Sequence, residues 1–378
     1  MTGKRIHLKN TKKMVVKIGS SSLTLETGGM DKQSMKKFVD EVSTLIKRGI
    51  EVIIVTSGAI AAGLEYLNIS KKPEDITLLQ AAASIGQVEL MKLYGDLFSN
   101  NGLKIGQILL TQEDTTRREQ YLNIKNTIRN LIDLNIIPMI NENDSVAVDE
   151  IKFGDNDKLA ALVSILSEAD VLVILTDIEG MYDKDPRIET GAKLISYVDK
   201  IDENIENVAG GIGSTYGIGG MESKIKAAKI CSFSGINTII ASSRRKNVLN
   251  EILAGKDVGT FFAPQTVKRV KSLKKWIAFG MKTKGNIVID KGAEEAVLKK
   301  GKSILPVGVV EVSGKFNKGD TLKVFSVDDE LIAKGISNFS SEDIVKIKGK
   351  NQKKILSEFD DSMCSEVIHR DCLVVFSE

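Results

Sequence analysis

The sequence predicts an α/β fold with a mostly parallel central sheet, followed by a smaller β-rich, barrel-like domain. In about the first 260 residues, apolar runs rich in Val, Ile and Leu alternate with helical patterns, whereas short runs punctuated by Gly fill the remainder. Continuous apolar runs of this kind are typical of parallel strands that are buried on both faces. The length of 378 residues also favours two domains over one.

The predicted elements of the first part follow from these runs. In chain order the strand candidates are MVVKIG, EVIIVTSG, IGQILLT, IIPMINEN, DVLVILTD and NTIIAS. Helical patterns between them include residues 32–47 and 120–134. Ligands of parallel sheets bind beyond the carboxyl ends of the strands. We therefore expect the polar tails KIGSSS, VTSGAIAAG, NENDS and TDIEG to meet at one site.

The second part begins after the basic stretch VKRVKSLKKW, which is predicted to be a linker. The segments that follow it are GNIVIDKGA, KKGKSILPVGVVEV, FNKGDTLKVF and LIAKGISNF. They indicate a small β-rich domain of about 100 residues. The predicted boundaries are a first domain at 1–264, a linker at 265–275 and a second domain at 276–378.

Composition excludes several classes of protein. No apolar run reaches the roughly 18–20 residues that cross a bilayer, and the basic start lacks a secretory apolar region, so we expect a cytoplasmic location and no membrane partner. Three cysteines without a CxxC pair and two histidines argue against a zinc site, a disulfide framework or a His-based triad. Residues 265–378 hold 21 Lys and Arg against 16 Asp and Glu, a net charge of +5 that leaves nucleic-acid binding as a minority interpretation.

Two standard phosphate motifs do not fit this sequence. AVLKKGKS ends like a P-loop but lacks its first glycine, and GGIGSTYGIGGMESK does not match GxGxxG. Instead, Gly-rich turns accompany lysines: Gly19 follows Lys17 at a strand end, and Gly220 precedes a helix that carries Lys224. Such turns let backbone N–H groups approach phosphate oxygens, while the lysines neutralise charge. The alternative is an ordinary surface loop at each place.

A third polar cluster opens an apolar helix in the stretch IKFGDNDKLAALVSIL. Asp155, Asn156 and Asp157 either cap that helix or serve a site, and one residue is enough for a cap. Ser57, in the strand-to-helix turn VTSG, has no identifiable base beside it, which favours substrate binding or capping over a nucleophilic role. Thr176 and Asp177 end another strand and suit a nucleotide.

The combination of these blocks resembles the amino acid kinase family. The resembling blocks are VVKIGSSSLT, VTSGAIAAG, INENDSVAVDEIKFGDNDKLAALVS, LTDIEGMYDKDPR and GIGGMESKIKAA, in the family's order over roughly residues 12–264. Within the family, the blocks are most similar to those of members that use ATP to phosphorylate the γ-carboxylate of L-glutamate, the first step of proline biosynthesis from glutamate. The C-terminal part resembles a PUA domain, a module that binds structured RNA in other proteins.

The resemblance implies a role for each candidate residue. Lys17 and Lys224 are implied to flank the transferring phosphoryl group, with Asp157 holding them in position. Ser57, Asp144 and Asn156 are implied to bind glutamate: Asp144 suits the ammonium group, whereas Ser57 and Asn156 can donate hydrogen bonds to a carboxylate. The residues implied to bind ATP, with Mg²⁺ held mainly through the phosphates, are Lys17, Thr176, Asp177, Ile218, Gly219, Gly220, Met221, Glu222, Ser223 and Lys224.

The resemblance also implies feedback inhibition by L-proline, a homodimer or homotetramer, and hand-over of the product to a glutamyl phosphate reductase. One alternative is a related kinase that acts on aspartate, N-acetylglutamate or carbamate. A pocket built around Asp144 favours a free ammonium group and therefore speaks against N-acetylglutamate. The other alternative, from a different class, is an RNA-binding or RNA-modifying protein that acts through the PUA-like domain.

Overall fold

A computed structural model describes most of the chain. The described residues are 5–25, 29–111, 114, 118–146, 156–186, 189–209, 220–265, 283–351, 354–355, 357 and 366–376. The chain divides into two compact units, Met1–Arg269 and Val270–Glu378. Within the described residues, no helix has the length and apolar character that a membrane crossing requires.

The first unit is built on an eight-stranded sheet. Its strands are β1 (Lys13–Ile18), β2 (Glu51–Val55), β3 (Lys104–Leu110), β4 (Ile136–Glu142), β5 (Val171–Thr176), β6 (Tyr197–Val198), β7 (Asn237–Ser242) and β8 (Thr260–Phe262). Its helices are α1 (Lys32–Lys47), α2 (Ala59–Tyr66), α3 (Ile76–Ser99), α4 (Arg118–Asp133), α5 (Asp157–Leu166), α6 (Glu203–Ala209), α7 (Met221–Phe233) and α8 (Val248–Leu253). The strand order is β3-β4-β2-β1-β5-β7-β8-β6.

The sheet is mostly parallel, which confirms the predicted fold class. β1 pairs in parallel with β2 and β5, and β7 pairs in parallel with β5, whereas β7 and β8 are antiparallel. All six strand candidates of this unit are strands in the structure. The pattern missed β6 and β8, because runs of two and three residues are too short to show a period.

Local sequence explains where the first helices begin. Asp31 accepts hydrogen bonds from the backbone N–H groups of Gln33 and Ser34 at the start of α1. Asp75 accepts one from Thr77 at the start of α3. Both are N-caps that satisfy backbone donors which the helix itself leaves unpaired.

Helices α2 and α3 pack closely because each has a glycine that faces the backbone of the other helix. A Cβ added to Gly63 would lie 1.8 Å from the carbonyl oxygen of Ala82. A Cβ added to Gly86 would lie 1.8 Å from the carbonyl oxygen of Ala59. Only glycine fits at these contacts, and the close packing holds the start of α2, directly after β2, against the middle of α3.

In the part of the second unit that the structure describes there are a five-stranded sheet and two α-helices. Its strands are β9 (Thr283–Ile289), β10 (Val309–Ser313), β11 (Thr321–Ser326), β12 (Leu331–Ile336) and β13 (Leu373–Val375), in the order β10-β9-β11-β12-β13. Helices α9 (Lys291–Lys300) and α10 (Ser341–Ile347) complete it. The sequence pattern did not predict these helices. Residues 296–300 of the P-loop-like AVLKKGKS end α9 instead of starting a helix, which agrees with the rejection of that motif.

Candidate active site

The carboxyl ends of five neighbouring strands meet at one edge of the large sheet. β4, β2, β1, β5 and β7 are adjacent in the sheet and run in the same direction. Lys17 lies near the end of β1, Ser57 follows β2, and Thr176 ends β5. These polar strand ends therefore share one edge of the sheet, whereas their meeting at one binding site stays a prediction.

A buried cluster of charges lies at the centre of this edge. Lys17 Nζ is 2.7 Å from Asp157 Oδ1, and Lys224 Nζ is 3.1 Å from Asp157 Oδ2. The side chains are 5%, 6% and 0% exposed for Lys17, Lys224 and Asp157. One carboxylate thus holds two ammonium groups that would otherwise repel each other.

Three different elements bring this cluster together. Lys17 comes from β1, Asp157 is the first residue of α5, and Lys224 lies in the first turn of α7. Ser223, next to Lys224, has its Oγ 2.9 Å from Asp157 Oδ2 and 2.8 Å from the carbonyl oxygen of Gly220. Since α5 is buried along almost its whole length, Asp157 has little freedom to move away from the lysines.

Asn156 lies at the N-cap position of α5, but its side chain does not cap the helix. Its Nδ2 lies 2.6 Å from the carbonyl oxygen of Thr56, 2.9 Å from Oδ1 of Asn141 and 3.2 Å from Oγ of Ser57. Asn156 therefore ties the start of α5 to the ends of β2 and β4. The capping interpretation of this side chain is wrong, and its contacts are those of a residue that shapes a pocket.

The turn after β2 depends on glycine. Gly58, which precedes α2, has φ +103°, a left-handed conformation that residues with a Cβ rarely adopt. Beneath this turn, Thr56 Oγ1 lies 3.1 Å from the hydroxyl oxygen of Tyr94, a fully buried residue of α3. Burial raises the pKa of the Tyr94 phenol, so it remains a neutral hydrogen-bonding group. The hydrogen bond to Tyr94 thus holds the turn against α3, while Ser57 lies on the side of the other strand ends.

A second group of polar residues lies at the ends of β5 and β7. Thr176 Oγ1 donates a hydrogen bond to Asp177 Oδ1 at 3.0 Å. Ser243, directly after β7, donates from its backbone N–H to the carbonyl oxygen of Thr176 at 2.8 Å. Its Oγ also lies 2.8 Å from the Oγ of Ser22, which follows β1. Hydrogen bonds therefore link the ends of three adjacent strands.

Of the remaining predicted residues, three lie within the described part of the chain and three lie outside it. Asp144 is half-buried in the turn after β4. Met221 and Glu222 begin α7, where exposed Glu222 pairs with Lys226 at 2.6 Å. Asp155, Ile218 and Gly219 lie outside the described residues.

Sequence reasoning missed Gln87, and it gave no separate role to Asn141, the first residue of the predicted polar tail NENDS. Asn141, the penultimate residue of β4, and Gln87, in the middle of α3, are 1% and 8% exposed. Asn141 Nδ2 donates to Gln87 Oε1 at 2.8 Å. The only available signal in the sequence was a polar residue within an apolar segment. This signal does not identify the hydrogen-bond partner, because 54 residues separate Asn141 from Gln87.

Two family models match this chain. The model of the amino acid kinase family matches residues 12–242, and the model of the PUA domain matches residues 285–359. Among solved structures, UMP kinase from Bacillus anthracis matches over 68% of this chain and 97% of that chain, with a TM-score of 0.47 and 14% identity.

Curated relatives match over nearly their full length. A glutamate 5-kinase from Thermoanaerobacter sp. (strain X514) is 47% identical over 96% of this chain and 97% of the relative. Glutamate 5-kinases from Carboxydothermus hydrogenoformans and Vibrio vulnificus are 47% and 44% identical, each over 97% of this chain. These matches cover 98% and 97% of the two relatives.

Proposed function

The chain belongs to the amino acid kinase family, and from this premise we propose that it uses ATP to phosphorylate the γ-carboxylate of L-glutamate. The product is the acyl phosphate L-glutamyl 5-phosphate, which makes the reaction the first step of proline biosynthesis from glutamate. A γ-carboxylate oxygen forms a bond to the γ-phosphorus, and the bond from that phosphorus to the β-phosphate oxygen breaks, releasing ADP.

The observation that carries the proposal is the order of polar groups along the sheet edge. Polar groups suited to an amino acid lie at β4 and β2, namely Asn141 and Ser57 with Asn156 beside them. Lys17 follows on β1, and Thr176 lies on β5. Because adjacent strands are about 4.8 Å apart, this order fits an acceptor, a transferring phosphoryl group and a nucleotide laid side by side.

The two lysines act by neutralising charge. Each ammonium group has three N–H donors, so a lysine that uses one on Asp157 can also donate to phosphoryl oxygens. Asp157 acts through them as a positioning residue, since it holds both Nζ atoms within 3.1 Å of its carboxylate. A preorganised pair of cations at the point of transfer requires little reorganisation during the reaction.

The acceptor needs no general base, because a γ-carboxylate is already ionised near neutral pH. Asp144 pairs with the α-ammonium group, and Ser57 and Asn156 bind the amino acid beside it. On the nucleotide side, Thr176, Asp177 and residues 218–224 hold ATP, with Mg²⁺ entering on its phosphate oxygens. The start of α7 adds a helix N-terminus, which favours an anion.

Regulation and assembly form a further part of the proposal. L-Proline, which resembles the amino acid end of the substrate, is proposed to inhibit at or overlapping the glutamate site. The chain is proposed to work as a homodimer or homotetramer and to pass its labile product to a glutamyl phosphate reductase. The kinase domain is proposed to extend over 1–264 and the PUA domain over 276–378, separated by a linker.

Replacement of Asp144 by Ala tests the glutamate side of the proposal. Loss of the carboxylate removes the partner of the ammonium group, so the KM for glutamate should rise by roughly 10- to 100-fold while kcat and the KM for ATP change little. Steady-state kinetics over both substrates give these values. An unchanged KM for glutamate would remove Asp144 from the site. Asp133→Ala, at the end of α4, serves as the control.

The activity itself is tested with the purified full chain, ATP and Mg²⁺. L-Glutamate, L-aspartate and N-acetyl-L-glutamate are compared in the presence of hydroxylamine, which converts an acyl phosphate to a hydroxamate. Hydroxamate from glutamate and from neither of the others is the expected result. Preferential reaction of aspartate or N-acetylglutamate would replace the proposed substrate, and absence of hydroxamate from all three with a folded protein would contradict the kinase proposal.

A further inference from the structure

A chain of three buried side-chain amides leads from helix α3 to the site. Gln87 Oε1 accepts a hydrogen bond from Asn141 Nδ2 at 2.8 Å, and Asn141 Oδ1 accepts one from Asn156 Nδ2 at 2.9 Å. The residues are 8%, 1% and 5% exposed for Gln87, Asn141 and Asn156. We name these three side chains the amide chain.

A backbone carbonyl sets the direction of the amide chain. The carbonyl oxygen of Thr56 lies 2.6 Å from the amide of Asn156, and a carbonyl oxygen can only accept. The atom of Asn156 at this contact must therefore be nitrogen. It follows that Asn141 presents oxygen to Asn156 and nitrogen to Gln87, and that Gln87 presents oxygen. Hydrogen-bond chemistry thus fixes the orientation of all three amides.

The orientation of the amide chain determines whether Asn156 donates a hydrogen bond to a ligand or accepts one from it. Its nitrogen carries two hydrogens, and three protein acceptors lie within 3.2 Å of it: the Thr56 carbonyl, Asn141 Oδ1 and Ser57 Oγ. Its Oδ1 accepts no hydrogen bond from the described part of the chain. This oxygen is also not fully enclosed by protein. Asn156 therefore presents an acceptor, while Ser57, which accepts from Asn156, keeps its own proton to donate.

Gln87 is an unusual choice for stability alone. Its Nε2 is enclosed and has no hydrogen-bond partner among the described residues. A buried donor without a partner lowers the stability of the fold, and an apolar residue of similar length would avoid that penalty. What an apolar residue cannot supply is the acceptor oxygen that holds Asn141.

We propose that Gln87 is a positioning residue for recognition of the substrate's ammonium group. Through Asn141 it holds Asn156 with its carbonyl oxygen toward the α-ammonium, and Ser57 donates to a carboxylate. This inference rests on the proposed function, in which glutamate is the acceptor. It assigns Asn156 the role of acceptor, where the sequence suggested that it donates to a carboxylate.

The test replaces Gln87 by Met, which is similar in length and lacks the acceptor. The KM for glutamate should rise roughly 3- to 10-fold, the effect of losing about one hydrogen bond, with kcat and the KM for ATP within about twofold of the original. The inhibition constant of glutarate, which has both carboxylates of glutamate and no ammonium group, should stay unchanged. Gln87→Glu retains an acceptor oxygen and should restore much of the glutamate affinity. Gln80→Met, the same change two turns earlier on α3, is the control.

Either of the following results would overturn the inference. If Gln87→Met lowers the melting temperature but leaves the KM for glutamate unchanged, the residue is only structural. If the inhibition constant of glutarate rises in parallel with the KM, the amide chain does not act on the ammonium group. Turnover of glutamate by the unmodified protein separates the two proposals, because absence of turnover overturns both, whereas turnover with an unchanged KM in Gln87→Met overturns only this one.

Discussion

Replacing Lys224 by Ala should reduce kcat by about a hundred- to a thousandfold, with a much smaller change in the KM for glutamate. The ammonium group of Lys224 lies 3.1 Å from Asp157 and is almost fully buried, so its replacement by Ala removes one of the two positive charges held by this carboxylate. The proposed contact strengthens as charge develops on the transferring phosphoryl group, and loss of such a contact lowers kcat more than binding.

Lys226 provides a matched control for this prediction. It lies half a turn later on α7, its side chain is 69% exposed, and it pairs with Glu222 at the surface. Lys226→Ala removes the same charge from the same helix and should leave kcat within about twofold, because exposed ion pairs contribute little. A large increase in the KM for glutamate with unchanged kcat in Lys224→Ala would show that Lys224 binds substrate without acting in transfer.

Replacing Gly86 by Ala should destabilise the first unit by about 3 kcal/mol or more. The added Cβ would lie 1.8 Å from the carbonyl oxygen of Ala59 and 2.3 Å from the backbone nitrogen of Gly63. Backbone atoms cannot rotate away as a side chain can, so α2 and α3 must separate, and overpacking of this kind is costly. Denaturant unfolding monitored by circular dichroism measures the change.

Gly95 is the matched control on the same helix. A Cβ at Gly95 has its nearest neighbour, Ile105 Cδ1, at 4.0 Å, which is an ordinary van der Waals contact. Gly95→Ala should therefore stabilise the unit by about 0.5–1 kcal/mol, since alanine favours a helix over glycine. Equal stability of the two variants would contradict the close α2–α3 contact. The separation of the helices should also raise the KM for glutamate in Gly86→Ala, because Gln87 is the next residue.

The sequence predicted the central strands and the placement of polar groups at their ends because both leave a local pattern. The run around Lys17 shows a buried strand followed by a Gly-rich turn, and Asp157 opens an apolar helix. Direction and adjacency of the strands then follow from general rules for parallel sheets. The six predicted strands run parallel to one another in the structure.

The contacts that complete the site could not be predicted in the same way. Gln87 and Asn141 are 54 residues apart, and the glycines of α2 and α3 meet across 23 residues, 63 to 86. Such pairs depend on tertiary packing, which a single sequence does not encode in any local period. The short strands β6 and β8 were missed for a related reason, since tertiary pairing defines them more than their own residues do.

The proposed role of Lys17, Asp157 and Lys224 in the chemical step is central to the mechanism. Single-turnover measurement of acyl phosphate formation tests this directly, with the unmodified protein and Lys224→Ala each at saturating ATP and glutamate. The single-turnover rate of Lys224→Ala should fall by about a hundredfold or more while its affinity for ATP changes by less than about tenfold. A single-turnover rate that is the same in both proteins would contradict this role, because the cluster would then serve binding or product release and not phosphoryl transfer.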